Sequence, residues 1–189
     1  MIRVGYEALD SRTVFQGDLS RIRMDTLRLP DGSTVEREIV EHPSAVAIVP
    51  VDEDRRVTLL RHYRHAAGET VLEVPAGKLD DDREQPHETA QRELAEEVGL
   101  AAETLAPLVT FHNSAGWTDE QTTVYLATGL RSVAAPEDFV PEGEEAHMDV
   151  LRMPLAEAVD LARTGAISDA KTLIGLLLAA DRLDAGRAG

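Results

Sequence analysis

The sequence predicts an α/β fold in which a mixed β-sheet carries helices on its faces. Two observations lead there. Strand-like runs come first, one strongly charged helical stretch interrupts them, further strands follow, and two helices close the chain; this order suits a mixed sheet covered by helices. The run Ala45 to Val51 is nearly unbroken in apolar character, as a central strand buried on both faces requires.

An antiparallel β-hairpin region is expected at the start. Arg12 to Gln16, Ile22 to Leu29 and Thr34 to Val40 carry β-branched and apolar residues, and Pro30-Asp31-Gly32-Ser33 supplies a fixed φ followed by a permissive glycine. Arg21, Arg23, Asp25 and Arg28 interleave the apolar positions, so one face is expected to meet solvent or a partner subunit. Residues 1–43 are read as this N-terminal β region and 44–189 as the main domain.

Ala45 to Val51 and Val57 to Leu60 form two central strands around the turn Asp52-Glu53-Asp54-Arg55. Thr70 to Val74 is a short third strand that ends in Pro75-Ala76-Gly77, and Leu105 to Phe111 and Gln121 to Ala127 are a later pair. A helix spans Pro86 to Val98, with proline in its first turn and Gly99 just past its end. Pro136 to Glu145 reads as a long acidic loop, a kind that is often functional. Helices then run from Pro154 to Arg163 and from Ser168 to Leu183, the second with Ser168 as its N-cap.

The whole-chain numbers narrow the function. A length of 189 residues, 43% hydrophobic and 29% charged, fits a globular domain. The formal charge of -16, from 35 acidic and 19 basic residues, repels nucleic acid and anionic membrane, and neither is expected as a partner. A phosphate-bearing substrate would be repelled as well unless a cation is supplied locally, and a bound divalent metal is one answer. With no cysteine, disulfides, thiolate metal sites and cysteine nucleophiles are excluded. Met1 to Arg12 lacks a continuous apolar stretch and Leu173 to Ala180 is too short to span a bilayer, so the expected location is cytoplasmic.

The chemistry concentrates in Arg92-Glu93-Leu94-Ala95-Glu96-Glu97-Val98-Gly99-Leu100. On a helix, Glu93, Glu96 and Glu97 crowd nearly one face. Like charges at that spacing destabilise a helix by about 0.2–0.5 kcal/mol per pair, and something should compensate. An oxygen-rich cluster without thiolate suits a hard cation such as Mg²⁺ or Mn²⁺, and Arg92 can orient a carboxylate. The histidines show no metal-ligand spacing, and none is assigned to catalysis.

Gly77, Glu84 and the stretch Arg92 to Leu100 together resemble the Nudix box, the signature of the Nudix hydrolase family; one extra residue separates Gly77 from Glu84 relative to the common pattern. The resemblance implies a Nudix-type α/β/α sandwich with a mixed sheet and hydrolysis of a nucleoside diphosphate derivative at its pyrophosphate. It implies that Glu93, Glu96 and Glu97, with the carbonyl of Ala76, hold Mg²⁺ or Mn²⁺, and that Arg92 and Glu96 belong to the catalytic set.

Other stretches resemble the ADP-ribose pyrophosphatase branch. Arg61-His62-Tyr63-Arg64 and Leu72-Glu73-Val74-Pro75-Ala76-Gly77 are similar to its strand pair leading into the box. Arg64 is then a phosphate clamp, and Glu73 holds metal-bound water or ribose. Asn113 to Glu120 resembles the branch's specificity segment, with Trp117 and Glu120 as substrate contacts and Ala115 in the place of its proline. That substitution leaves another nucleotide sugar such as GDP-mannose, or an ADP-ribose-binding regulatory module without catalysis, as alternatives. Glu144 and Glu145 fall where relatives carry a glutamate that activates water, Glu145 aligning best. The branch also implies a homodimer, with residues 1–43 as the dimer arm.

Overall fold

The computed structural model describes residues 5–79, 84–137, 139–141 and 143–186. Of the six residues between Gly77 and Glu84 that include the expected extra residue, 80–83 lie outside the described residues, as do Asp138 and Glu142 of the acidic loop. The chain divides into two compact units: residues 1–44 with 111–121, and residues 45–110 with 122–189.

The first unit is a three-stranded antiparallel sheet in the order β1 (Glu7–Gln16), β2 (Arg21–Arg28), β3 (Thr34–Glu41). Its first strand begins five residues before the expected Arg12, because β1 pairs with β2 along almost its whole length, from Glu7 opposite Arg28 to Gln16 opposite Arg21. The β2–β3 turn closes through Leu29 N–H to Ser33 O (2.8 Å), with Gly32 at φ 84° and the Asp31 carboxylate accepting from Ser33 N–H (2.9 Å). That is the work expected of Pro-Asp-Gly-Ser. The returning segment 113–120 joins this unit through Val40 N–H to Trp117 O (2.9 Å) and a parallel bridge between Val40 and Thr118.

The second unit contains a four-stranded mixed sheet in the order β7 (Ala76–Lys78), β4 (Ala45–Pro50), β9 (Gln121–Ser132), β8 (Leu100–His112). β4 runs parallel to β9, Ile48 beside Tyr125, and antiparallel to β7, Ala47 beside Ala76. Side chains alternate across a strand, which accounts for the apolar run in β4. Val46 and Ile48, with Tyr125 and Ala127, pack on Ala90 and Leu94 of helix α1 (Pro86–Val98). Ala47 and Val49 face the other way. There, helix α3 (Ala170–Ala185) approaches so closely that a Cβ on Gly175 would lie 2.8 Å from Val49 Cγ2 and 3.2 Å from Val124 Cγ1. Helix, sheet and helix form the expected α/β/α sandwich.

A second sheet, antiparallel in the order β10 (Asp149–Pro154), β5 (Arg56–Arg64), β6 (Glu69–Glu73), lies beside helix α2 (Leu155–Arg163). The β4–β5 turn is held by Asp52, whose Oδ1 accepts from Arg56 N–H (2.8 Å) while Arg55 takes the left-handed conformation at φ 56°. Two local expectations are corrected. The N-cap of α3 is Asp169, not Ser168: its carboxylate accepts from Thr172 N–H (2.9 Å). The strand expected over Thr70 to Val74 is β6, Glu69–Glu73, and Ala76 opens a separate short strand, β7. Among the described residues no helix is long and apolar enough to cross a membrane.

The tight seat of Gly175 gives a stability prediction. Gly175→Val should lose about 1–3 kcal/mol by overpacking, despite the gain in helix propensity. Urea unfolding followed by circular dichroism reads this directly, and an unchanged midpoint would contradict the close approach.

Candidate active site

The ends of β5 and β6, the strand β7, helix α1 and the first turn of α3 meet at residues 73–77. Glu73 closes β6 with only 1% of its surface exposed. A buried carboxylate must be neutralised, and two cations do so: Arg64 Nε donates to Oε1 at 2.8 Å and Lys171 Nζ donates to Oε2 at 2.5 Å. Lys171 also donates to Asp169 Oδ1 (2.8 Å), while the other oxygen of that carboxylate caps α3. Thr172, fully buried, accepts the Val74 N–H at 2.8 Å through its hydroxyl. The helix terminus therefore grips both the side chain of Glu73 and the next peptide.

The following residues are tied as firmly. Pro75 O accepts from Ile48 N–H (2.8 Å), and Ala76 N–H donates to Glu97 Oε2 (2.9 Å). A Cβ at position 77 would overlap the Glu93 carboxylate, so glycine is what lets that side chain lie against the strand. Helix α1 is set by Pro86 in its first turn, by Glu88 accepting the Gln85 N–H (2.9 Å), and by Gly99 at φ 63° returning its N–H to Ala95 O (3.1 Å). Those limits place Glu93 on the buried stripe beside Leu94, with Glu96 and Glu97 one turn on.

Arg92 gathers the outer carboxylates. Its Nη1 donates to Glu93 Oε1 and Glu96 Oε2, both at 2.8 Å, and its Nε reaches Glu84 Oε1 at 3.4 Å. Burial opposes the guanidinium charge, but Glu93, Glu84 and Glu96 outweigh it and raise the Arg92 pKa further. Among the described residues Glu97 has no such cationic partner. Burial pushes its carboxyl up to about 8, against the Ala76 N–H, and the negative charges of Glu93 and Glu73 add to the rise. As placed, no group of three histidine, aspartate or glutamate side chains among the described residues is gathered for a metal ion. The donor set nonetheless fits a hard cation: a buried glutamate facing two other carboxylates is a site where positive charge is missing.

A cleft of about 300 Å³ opens beside this cluster, lined by His62, Tyr63, Arg64, His65, Ala66, Glu144 and Glu145. Glu144 and Glu145 sit on a 3₁₀ turn, Gly143–His147, where the sequence suggested only loop. His62 is buried, with Nδ1 3.0 Å from Glu73 Oε1 but outside hydrogen-bonding geometry. Burial and Arg64 lower its pKa, while the charges of Glu73 and Glu145 oppose that fall.

The second unit thus holds Arg64, Glu73, Ala76, Arg92, Glu93, Glu96, Glu97, Glu144 and Glu145. Trp117 and Glu120 belong to the first. There the indole Nε1 donates to Glu38 Oε1 (3.3 Å) and the Glu120 carboxylate lies 3.5 Å from His42 Nδ1. Sequence reasoning missed Lys171, Asp169, Thr172 and the proximity of His62. The one usable signal was a capping aspartate two residues before a lysine at a helix start.

A model of the NUDIX domain matches residues 41–174. The chain belongs to the NUDIX domain family. It is 43% identical over 172 residues to an ADP-ribose pyrophosphatase of Mycobacterium tuberculosis (strain ATCC 25618 / H37Rv), covering 91% of this chain and 82% of that protein. It is 33% identical over 159 residues to an ADP-ribose pyrophosphatase of Bacillus subtilis (strain 168), with 84% of each covered. Among solved structures, an ADP compounds hydrolase superposes with a TM-score of 0.82 at 26% identity, covering 96% of both chains. Helix α1 and the carboxylate cluster just described lie within the matched residues.

The raised pKa of Glu97 in this Nudix helix has a sign that can be tested. Between the ordinary value of 4.5 and about 8 the folded protein holds a proton that the unfolded chain has released. The corresponding stability is present in full below 4.5 and is lost as pH rises through 8. A glutamine cannot ionise. Thermal unfolding in chelator should show Glu97→Gln gaining on the unmodified protein between pH 5.5 and pH 8.5, and parallel pH profiles would contradict the burial.

Proposed function

We propose that the protein is a divalent-metal-dependent ADP-ribose diphosphatase that yields AMP and ribose 5-phosphate. The observation that carries the reading is Arg64. It lines the cleft with Glu144 and Glu145, and among the described residues its one side-chain hydrogen bond is from Nε to Glu73. Both Nη groups remain as donors, in the fork that suits phosphate oxygens. The names of the mycobacterial and Bacillus relatives support ADP-ribose as the substrate.

In this reading Glu93, Glu96, Glu97 and the Ala76 carbonyl hold Mg²⁺ or Mn²⁺. A bound divalent cation would neutralise charge on the diphosphate oxygens and lower the pKa of water there. The protein's own residues supply the remainder. Arg64 orients the diphosphate, Arg92 ties Glu93 and Glu96 through its Nη1, and Glu73 anchors Arg64. Glu145 takes the proton of the attacking water, with Glu144 as its neighbour on the same turn. Trp117 and Glu120 contact the nucleoside or ribose portion; the support is the resemblance of segment 113–120 and an indole that is 54% exposed.

The assembly proposed is a homodimer with the N-terminal strands at the interface, supported by the exposed Tyr6, Leu9, Val14, Phe15 and Leu19 of the first unit. The location proposed is the cytoplasm, without a nucleic-acid or membrane partner; a net charge of -16 supports the absence of such partners, because it repels both, and recovery in a membrane fraction would contradict it.

Three measurements follow. Assayed with Mg²⁺ and Mn²⁺ against ADP-ribose, GDP-mannose and diadenosine polyphosphates, the protein should favour ADP-ribose and lose turnover in chelator. Faster hydrolysis of GDP-mannose would move the substrate to another nucleotide sugar. Glu145→Gln should slow the chemical step by about 10²- to 10⁴-fold with substrate affinity nearly intact, whereas Glu144→Gln should stay close to normal; near-normal rates for both variants would remove the base from this turn. The solution mass should be that of two chains, and a monomer across a wide concentration range would overturn the dimer.

A further inference from the structure

We infer that Lys171 is a positioning residue for Arg64: by occupying Glu73 Oε2 it keeps Arg64 bound through Nε alone and leaves both Nη groups for a diphosphate. The inference rests on the phosphate-clamp reading of Arg64 and adds the residue that makes the clamp possible.

Left to themselves, a guanidinium and a carboxylate bind by two parallel N–H···O bonds. Arg64 and Glu73 do not. Arg64 gives one bond, Nε to Oε1 at 2.8 Å, and the second oxygen, Oε2, is taken by Lys171 Nζ at 2.5 Å. The carboxylate is almost wholly buried, while the Arg64 side chain is 43% exposed and lines the cleft. A fork that is half used at its base and open at its tip faces outward from an anchored stem.

Lys171 can do this because α3 delivers it. Asp169 caps the helix and accepts from Lys171 Nζ at 2.8 Å, and Thr172 holds the peptide of Val74 at 2.8 Å. The ammonium is fixed from two sides. Two carboxylates, Glu73 and Asp169, are thus matched by two cations, Arg64 and Lys171, and the group closes without taking a proton from the cleft. Were Lys171 uncharged, Oε2 would be a buried anionic oxygen without a donor. The nearest remedy is rotation of the Arg64 Nη groups onto it, which withdraws them from the cleft.

The experiment compares Lys171→Met and Lys171→Arg with the unmodified protein. In a crystal structure of Lys171→Met without substrate, an Arg64 Nη should stand within hydrogen-bonding distance of Glu73 Oε2; an Nε-only pair with water on Oε2 would overturn the inference, whatever the substrate is. In kinetics, Lys171→Met should raise KM for ADP-ribose about tenfold with a smaller change in kcat, and Lys171→Arg should recover most of that. A residue acting only on stability would lower the Tm and leave KM in place, and that result also overturns it. In an Arg64→Ala background, Lys171→Met should change KM by less than about twofold, because both act through one group; a full tenfold effect there counts against the inference. If Lys171→Met does not fold, Lys171→Gln in the same pair of backgrounds serves instead, with a rise of about threefold expected and additivity with Arg64→Ala as the overturning result. An unmodified protein inactive on every nucleoside diphosphate derivative would overturn the proposed function, and the crystallographic comparison would still decide the role of Lys171.

Discussion

The structure of the second unit depends on burying the carboxylate of Glu73. A buried carboxylate must be neutralised, so Arg64 and Lys171 are constrained to be where they are. With them come the end of β5 and the start of α3. The next peptides extend the tie: Val74 to Thr172, Pro75 to Ile48, Ala76 to Glu97, and Gly77 against Glu93. Five consecutive residues connect both sheets to two helices. Function and fold share these bonds, and substitutions in this segment should disturb both.

The cations placed around these five residues explain how a chain with a net charge of -16 can host an anionic substrate. Cations are not spread over the site but fixed at its edges. Arg92 ties Glu93 and Glu96 on one side, and Arg64 and Lys171 tie Glu73 on the other. Glu97, between them, receives a peptide N–H and, among the described residues, no cation, and burial carries its pKa to about 8. The protein by itself balances its outer carboxylates and leaves the inner one in deficit. A divalent cation is the group whose charge and oxygen preference match that deficit.

Much of this was legible in the sequence. The box helix could be bounded at Pro86 and Val98 because a proline and a glycine stand at positions where helix ends require them. The buried strand β4 announced itself by its apolar run, and the three carboxylates by their spacing. What could not be read was set by long-range geometry. Lys171 lies 98 residues from Glu73, and no local pattern distinguishes it from a surface lysine. Ser168 and Asp169 are both competent caps, and the choice fell to Asp169, whose second oxygen also holds Lys171. His62 has no ligand spacing, yet β5 carries it beside Glu73. The return of 111–121 to the first unit depends on pairing with Val40, which residue composition does not encode.

The most direct test of the central claim is a crystal structure of the protein with Mg²⁺ and an ADP-ribose analogue whose diphosphate bridge is a non-hydrolysable methylene. The account predicts metal density on Glu93, Glu96 and Glu97, with the Arg64 Nη groups on the diphosphate and Nε still on Glu73. Density for the diphosphate away from Arg64, or metal bound without the box glutamates, would contradict it.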